Sequence, residues 1–160
     1  MSLTKGNPDG LITTIHFNYT GGVKNATFTL FDIDMGSGYT DRLYEISAVT
    51  STGAIIGPTS VVGSVDNQVT GSGTNFVVTG TATSSPNSAN GNVTISFGAT
   101  YITDFTFRWN NGNAANGAQT MALADFSFTP MPEVGSSVTA LGLCAGTILF
   151  GMYRKRRSIR

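Results

Sequence analysis

Between Leu11 and Thr129 apolar and polar residues alternate with a period of two, the mark of strands that bury one face. Leu11, Thr13, Ile15, Phe17 and Tyr19 share one side of a first predicted strand. Val93, Ile95, Phe97 and Ala99 line another. Phe105, Phe107 and Trp109 alternate with Asp104, Thr106 and Arg108, and Ala122, Ala124, Phe126 and Phe128 form a last inward row. Further strands are expected over 26–34, 42–50, 59–65 and 76–82. Between them lie turn signals: Gly21-Gly22, Gly36-Ser37-Gly38, Gly53, Gly71-Ser72-Gly73, Asn90-Gly91 and Asn111-Gly112. Asn90-Gly91 reads as a tight hairpin turn between two Thr/Val-rich strands. No segment before Met131 has a helical period. The pattern predicts an all-β fold, an antiparallel two-sheet sandwich of jelly-roll type.

The period changes at Pro130-Met131-Pro132, which breaks the last strand. From Val134 to Tyr153 no residue is charged, and Arg154-Lys155-Arg156-Arg157 follows. As a helix, twenty residues reach about 30 Å, the thickness of a hydrocarbon core. The chain thus divides into a β-sandwich domain over 1–130 and a tail over 131–160. The tail carries a predicted membrane helix at 134–153 and a basic end at 154–160. Gly135, Ser136, Ser137 and Thr139 dilute the first half of the span, which suits an anchor that is processed. Lys and Arg stay on the cytoplasmic side, so the domain is expected outside.

Charge sharpens this division. Up to Pro130 there are eight acids and four bases, a net charge of −4; from Met131 onward there are one acid and five bases, a net charge of +4. An acidic domain without a basic patch does not suit nucleic acid. Cys144 is the only cysteine, so no disulfide can form within the chain and no cysteine-based metal site can be built. It reads as a small residue in the membrane helix.

Met131-Pro132-Glu133-Val134-Gly135, the apolar run and the terminal basic cluster together resemble the PEP-CTERM sorting signal of exported bacterial proteins. That resemblance implies recognition by an exosortase, a membrane transpeptidase that cuts near the motif. It covers roughly the last thirty residues and departs from the pattern at Val134, where a second proline is usual. The same five residues also have the frame of the Leu-Pro-x-Thr-Gly sortase signal, with Met for Leu and Val for Thr. Either way Pro132 and Glu133 are recognised, not catalytic. Export needs an N-terminal signal, and residues 1–10 show none, so the reading frame is expected to extend upstream of Met1. The expected place is the bacterial cell envelope or the extracellular space, with the helix in the inner membrane before processing.

The domain itself resembles a recurrent sandwich of bacterial surface proteins. The resemblance rests on Phe31-Asp32-Ile33-Asp34, on Asp41-Arg42 after a glycine loop, and on Gln119 before Leu123–Phe128.

Chemistry-bearing residues are few. Phe28, Leu30, Asp32 and Asp34 share one strand parity, so two carboxylates are expected to emerge together beside the glycine loop, with Asp41 across it. Three acids around a glycine turn form a candidate Ca²⁺ site, although the spacing is not that of an EF-hand. His16, the only histidine, falls on the polar face of its strand. No nucleophile–base order, metal-ligand spacing or phosphate-binding loop is present, and no enzymatic role is expected. Tyr39 and Asn110-Asn111-Gly112-Asn113 are candidates for contacts to a sugar. The leading reading is a structural envelope or extracellular-matrix protein. The alternative is a carbohydrate-binding or adhesive module that meets extracellular polysaccharide. Trp109 has the parity of Phe105 and Phe107 and is expected in the core.

Overall fold

The computed structural model describes residues 2–3, 10–85, 87–112 and 119–132. Its strands are β1 (Ser2–Leu3), β2 (Leu11–His16), β3 (Val23–Phe31), β4 (Met35–Gly36), β5 (Tyr39–Thr40), β6 (Arg42–Thr50) and β7 (Ile55–Ile56). They continue with β8 (Ser60–Gly63), β9 (Asn67–Thr70), β10 (Val77–Gly80), β11 (Val93–Ser96), β12 (Ile102–Asn110), β13 (Gln119–Thr120) and β14 (Ala122–Pro130). The only helical turns among the described residues are 3₁₀, at Gly73–Asn75 and Ala89–Gly91. The fold is all-β and antiparallel.

One layer has the order β8-β11-β3-β14, and the other β2-β12-β6-β10-β9, with β7 against β6. Strands joined by sequence mostly lie in different layers. Their partners are therefore nested: β2 pairs with β12, β3 with β11 and β6 with β10. The nest closes at a turn between β8 and β9. There the Ser64 amide donates to Asn67 Oδ1 and the Asn67 amide donates back to the Ser64 carbonyl.

Two separate sheets are expected from the sequence, whereas the two layers share one hydrogen-bonded corner, the pair Ile102–Val23. The approach is close because residue 22 is glycine. A Cβ there would stand 2.3 Å from the Ile102 carbonyl oxygen, and φ is +87°. Such a conformation and such a gap exclude other residues.

The core fills the space between the layers. Phe28 of β3 stacks on Phe105 of β12 with ring centroids 4.4 Å apart and planes 9° from parallel. Phe97 meets Phe105 edge-on at 5.5 Å, and Phe126 meets Phe28 at 5.0 Å. Leu30, Leu43, Ile46, Ile95, Ile102, Phe107 and Trp109 are fully buried around them. The alternation expected for 105–109 holds along β12, whereas along β6 it is reset at Glu45, whose φ is +51°, so that Leu43 and Ile46 both face inward.

Three expectations fail for local reasons. Asn90-Gly91 is not a hairpin turn: β10 and β11 lie in different layers, and the segment is a 3₁₀ crossover capped by Ser88 Oγ. The inward row of the last strand breaks because Asp125 has a φ of +51° and the register against β3 shifts there. Ala122 is thereby exposed and Phe126 half-exposed, while Leu123 packs on the core. Ala99 lies beyond β11 and is exposed.

Truncating Phe28 removes the ring that four other aromatic rings touch across the core. Phe28→Ala is expected to lower unfolding stability by about 3–5 kcal/mol, read from the chemical denaturation midpoint. A loss within that of a surface substitution would show that the stack does not join the layers.

Candidate functional site

The strand alternation that would keep Asp32 and Asp34 on one face stops short of them. β3 ends at Phe31, and Asp32 adopts a φ of +66°. Aspartate tolerates this left-handed conformation better than most residues. The turn separates the two carboxylates. Asp32 stays half-buried at the surface, whereas Ile33 and Asp34 fold inward, Asp34 to 3% exposure. The predicted pair on a common face is thus corrected.

Asp34 and Asp41 face each other across the short hairpin β4–β5. The Asp41 amide donates to the Asp34 carbonyl at 2.9 Å, and the Asp34 amide donates to Asp41 Oδ2 at 3.4 Å. Asp34 Oδ1 accepts the Tyr39 hydroxyl at 3.0 Å, and Oδ2 accepts the Ser84 amide at 2.8 Å. Asp41 Oδ1 accepts the indole N–H of Trp109 at 3.1 Å. Ser84 Oγ in turn donates to Asp66 Oδ2 at 2.6 Å. Gly80 lets this cluster close, since a Cβ there would lie 2.2 Å from the backbone of Asp34.

The network shifts titration. Burial pushes Asp41 up to about 7, the charges of Asp34 and Asp32 add to the rise, and hydrogen bonds from the Asp34 amide and Trp109 oppose it. Burial, then the charge of Asp34, raises Asp32. Burial, then the bond to Asp34 and the nearby acids, pushes Tyr39 up to about 12.

Of the three acids predicted for Ca²⁺, Asp34 and Asp41 accept hydrogen bonds from Tyr39, Ser84 and Trp109, and Asp32 lines the same cavity as Asp34. Among the described residues no group of three His, Cys, Asp or Glu side chains is arranged to hold a metal ion.

The network instead shapes a cleft. A cavity of about 560 Å³ is lined by Phe31, Asp32, Asp34, Tyr39, Ser84, Gln119, Thr120 and Ala122. A smaller one of about 260 Å³ lies on the other side of Tyr39, against Gly36, Gly38, Thr40 and Gly112. Tyr39 is thus the wall between two depressions. Gly36 makes room for it, because a Cβ at that position would stand 2.4 Å from the tyrosine ring. Sequence reasoning found Tyr39, Asp32 and Gly112. It missed Ser84, Asp66, Gln119 and Thr120 as partners of one site, since only the rolled topology brings them together.

Other predicted residues sit elsewhere. Trp109 is fully buried, as its parity predicts. His16 is exposed at the edge of β12, where Nδ1 lies 2.8 Å from Asp104 Oδ1. That bond, with one from Thr103, lowers Asp104. Arg42 lies over the Tyr44 ring at 5.5 Å. Of the sorting motif, Met131 and Pro132 are described. The Met131 amide donates to the Gly22 carbonyl at 3.0 Å, and Pro132 is exposed. Glu133, Val134 and Gly135, the expected helix at 134–153 and the basic residues 154–157 lie outside the described residues. Among the described residues, no helix is long and apolar enough to cross a membrane.

No family model, curated protein or solved structure matches the chain.

The raised Asp41 makes a signed prediction. Its folded-state value, about 7, exceeds the ordinary 3.8, so the native state holds the proton more tightly than the unfolded chain. Its stabilising contribution is complete below pH 3.8 and is lost as pH rises through about 7; Asp32 acts in the same direction. Denaturation midpoints are expected to fall from pH 4 to 7, and Asp41→Asn is expected to flatten that slope. An equal slope in the variant would remove Asp41 as its source.

Proposed function

We propose that this chain is an exported protein of the bacterial cell envelope or extracellular matrix, sorted by its C-terminal signal and processed by an exosortase-like transpeptidase. The β-sandwich is the exported cargo. The 134–153 segment is a single transmembrane helix held in the inner membrane before cleavage, with Arg154, Lys155, Arg156 and Arg157 as its cytoplasmic stop.

One observation carries this reading: the last strand closes just before the motif, and the motif's Pro132 is exposed. β14 closes at Pro130, Met131 is tied to the Gly22 carbonyl, and Pro132 is exposed. A processing enzyme would therefore meet Pro132 without unfolding the domain. The cluster Arg154-Lys155-Arg156-Arg157, directly after the apolar run, supplies the Lys/Arg bias that orients a membrane segment. The sortase-type frame of the same five residues would place a different enzyme at the same bond region.

A structural or binding role for the domain is supported by how its site is used: Asp34 and Asp41 are engaged in hydrogen bonds to Tyr39, Ser84 and Trp109.

Mass spectrometry of the protein from cells that carry an exosortase is expected to find a new C-terminus within or beside Met131–Gly135. The full tail should persist in an exosortase-deficient strain and in the Pro132→Ala/Glu133→Ala variant. Identical trimming in all three would overturn the reading, as would an intact Arg160 end in the exosortase-bearing cells.

A further inference from the structure

The cleft beside Tyr39 holds groups that the architecture does not consume. Asp32 accepts no hydrogen bond from any described residue, although it is half-buried and its proton affinity is raised. Gln119 and Thr120 line the same depression with an amide and a hydroxyl. Two aromatic rings, Phe31 and Tyr39, supply apolar surface within it. Tyr39 is held in place by Asp34 on one side and by the bare backbone of Gly36 below. Rigid aromatic side chains with fixed polar groups around them are the usual composition of a small-ligand site, and about 560 Å³ lies within the usual size.

The surface leading to the cleft has the same character. On the outer side of the β8-β11-β3-β14 layer, Thr27 faces Ser96 and Thr29 faces Thr94, with oxygens 3.0 and 3.4 Å apart. Ser60 extends the first row on β8, and Ser127 extends it on β14. Phe31 follows Thr27 and Thr29 on the same strand face and enters the cleft. An uncharged strip of hydroxyls therefore runs into a pocket lined by two aromatic residues, two aspartates and a glutamine.

We propose that this cleft binds a neutral glycan, with a sugar ring against Tyr39 or Phe31 and neighbouring hydroxyls donating to the Asp32 carboxylate. The inference rests on the proposed envelope setting for the presence of such a glycan, but its site is defined by the domain alone. The chemistry selects the class. A carboxylate accepts two hydroxyl donors and forms stronger hydrogen bonds than a neutral acceptor. The flat apolar side of a pyranose suits an aromatic face. Among the described residues no lysine or arginine lines the cleft, so a uronate, sulfate or phosphate would meet Asp32 and Asp34 with no described cation to offset them.

The test uses the full chain in detergent micelles with cello-, laminari- and manno-oligosaccharides, and with oligogalacturonate as the anionic control, by titration calorimetry. At least one neutral series is expected to bind saturably, and the anionic one not to bind. Asp32→Asn keeps the left-handed backbone, which asparagine tolerates. It is expected to weaken binding about tenfold, the worth of one charge-assisted hydrogen bond. Tyr39→Ala should abolish binding, while Tyr39→Phe, which keeps the ring, should retain most of it. Denaturation midpoints well above the titration temperature in Asp32→Asn and Tyr39→Phe would keep these effects apart from folding. Absence of binding to every neutral series would overturn the proposal, as would preference for oligogalacturonate or binding indifferent to both Asp32→Asn and Tyr39→Ala. A tail that is still processed while no glycan binds would remove this inference alone; glycan binding with an unprocessed tail would remove only the export reading.

Discussion

The contact of Phe28 with Phe105 bears the weight of this fold because little else is available to bear it. Only 11% of residues are charged, and the single cysteine cannot form an internal bridge. The described ion pairs, Arg108–Glu45 and His16–Asp104, lie at the surface, where such pairs contribute about 0–1 kcal/mol. Cohesion between the layers therefore comes from apolar burial, and the aromatic cluster supplies much of its area. The cluster also sets the spacing of the layers. With the rings stacked at 4.4 Å, β3 and β12 cannot slide past each other without separating.

That spacing has a consequence at the end of the sandwich where β3 stops. The chain must turn out of the layer at Asp32 and return at Asp41 to enter β6. Both ends of this excursion bring a carboxylate to the edge of the core. Trp109 reaches Asp41 because β12 is held beside β6, and Ser84 reaches Asp34 because the 81–91 crossover passes over the same edge. Buried acids with such partners are awkward for stability near neutrality. What they provide is position: Tyr39 is fixed through Asp34, and the cleft takes its shape from Tyr39.

Sequence and structure agree where a strand is regular and central. Phe105, Phe107 and Trp109 are all inward along β12, and β6 spans the strand expected over 42–50, although a positive φ at Glu45 resets its parity. Agreement is lost where one residue with positive φ resets the parity. Asp32 and Asp125 do this without glycine, so the apolar pattern around them still reads as continuous strand. Asn90-Gly91 misleads for another reason: the dipeptide signals a local turn and carries no information about which layer comes next. The site was legible only in its local part. Asp32, Asp34, Asp41 and Tyr39 fall within one loop, but the Asp41–Trp109 bond joins positions 68 apart and the Ser84–Asp34 bond joins positions 50 apart. Such distances are closed by the roll of the chain, not by neighbours in sequence.

Gly22 joins the layers at one corner, and the chain also leaves the domain there. Its carbonyl receives the Met131 amide, and beside it Val23 pairs with both Ile102 and Pro130. A pull applied at Met131 therefore enters the molecule at the corner where Val23 pairs with Ile102. The load passes from Met131 into β3 and, through Val23, into the opposite layer, instead of peeling β14 from a free edge. Mechanical resistance is thus concentrated at a residue that has no side chain.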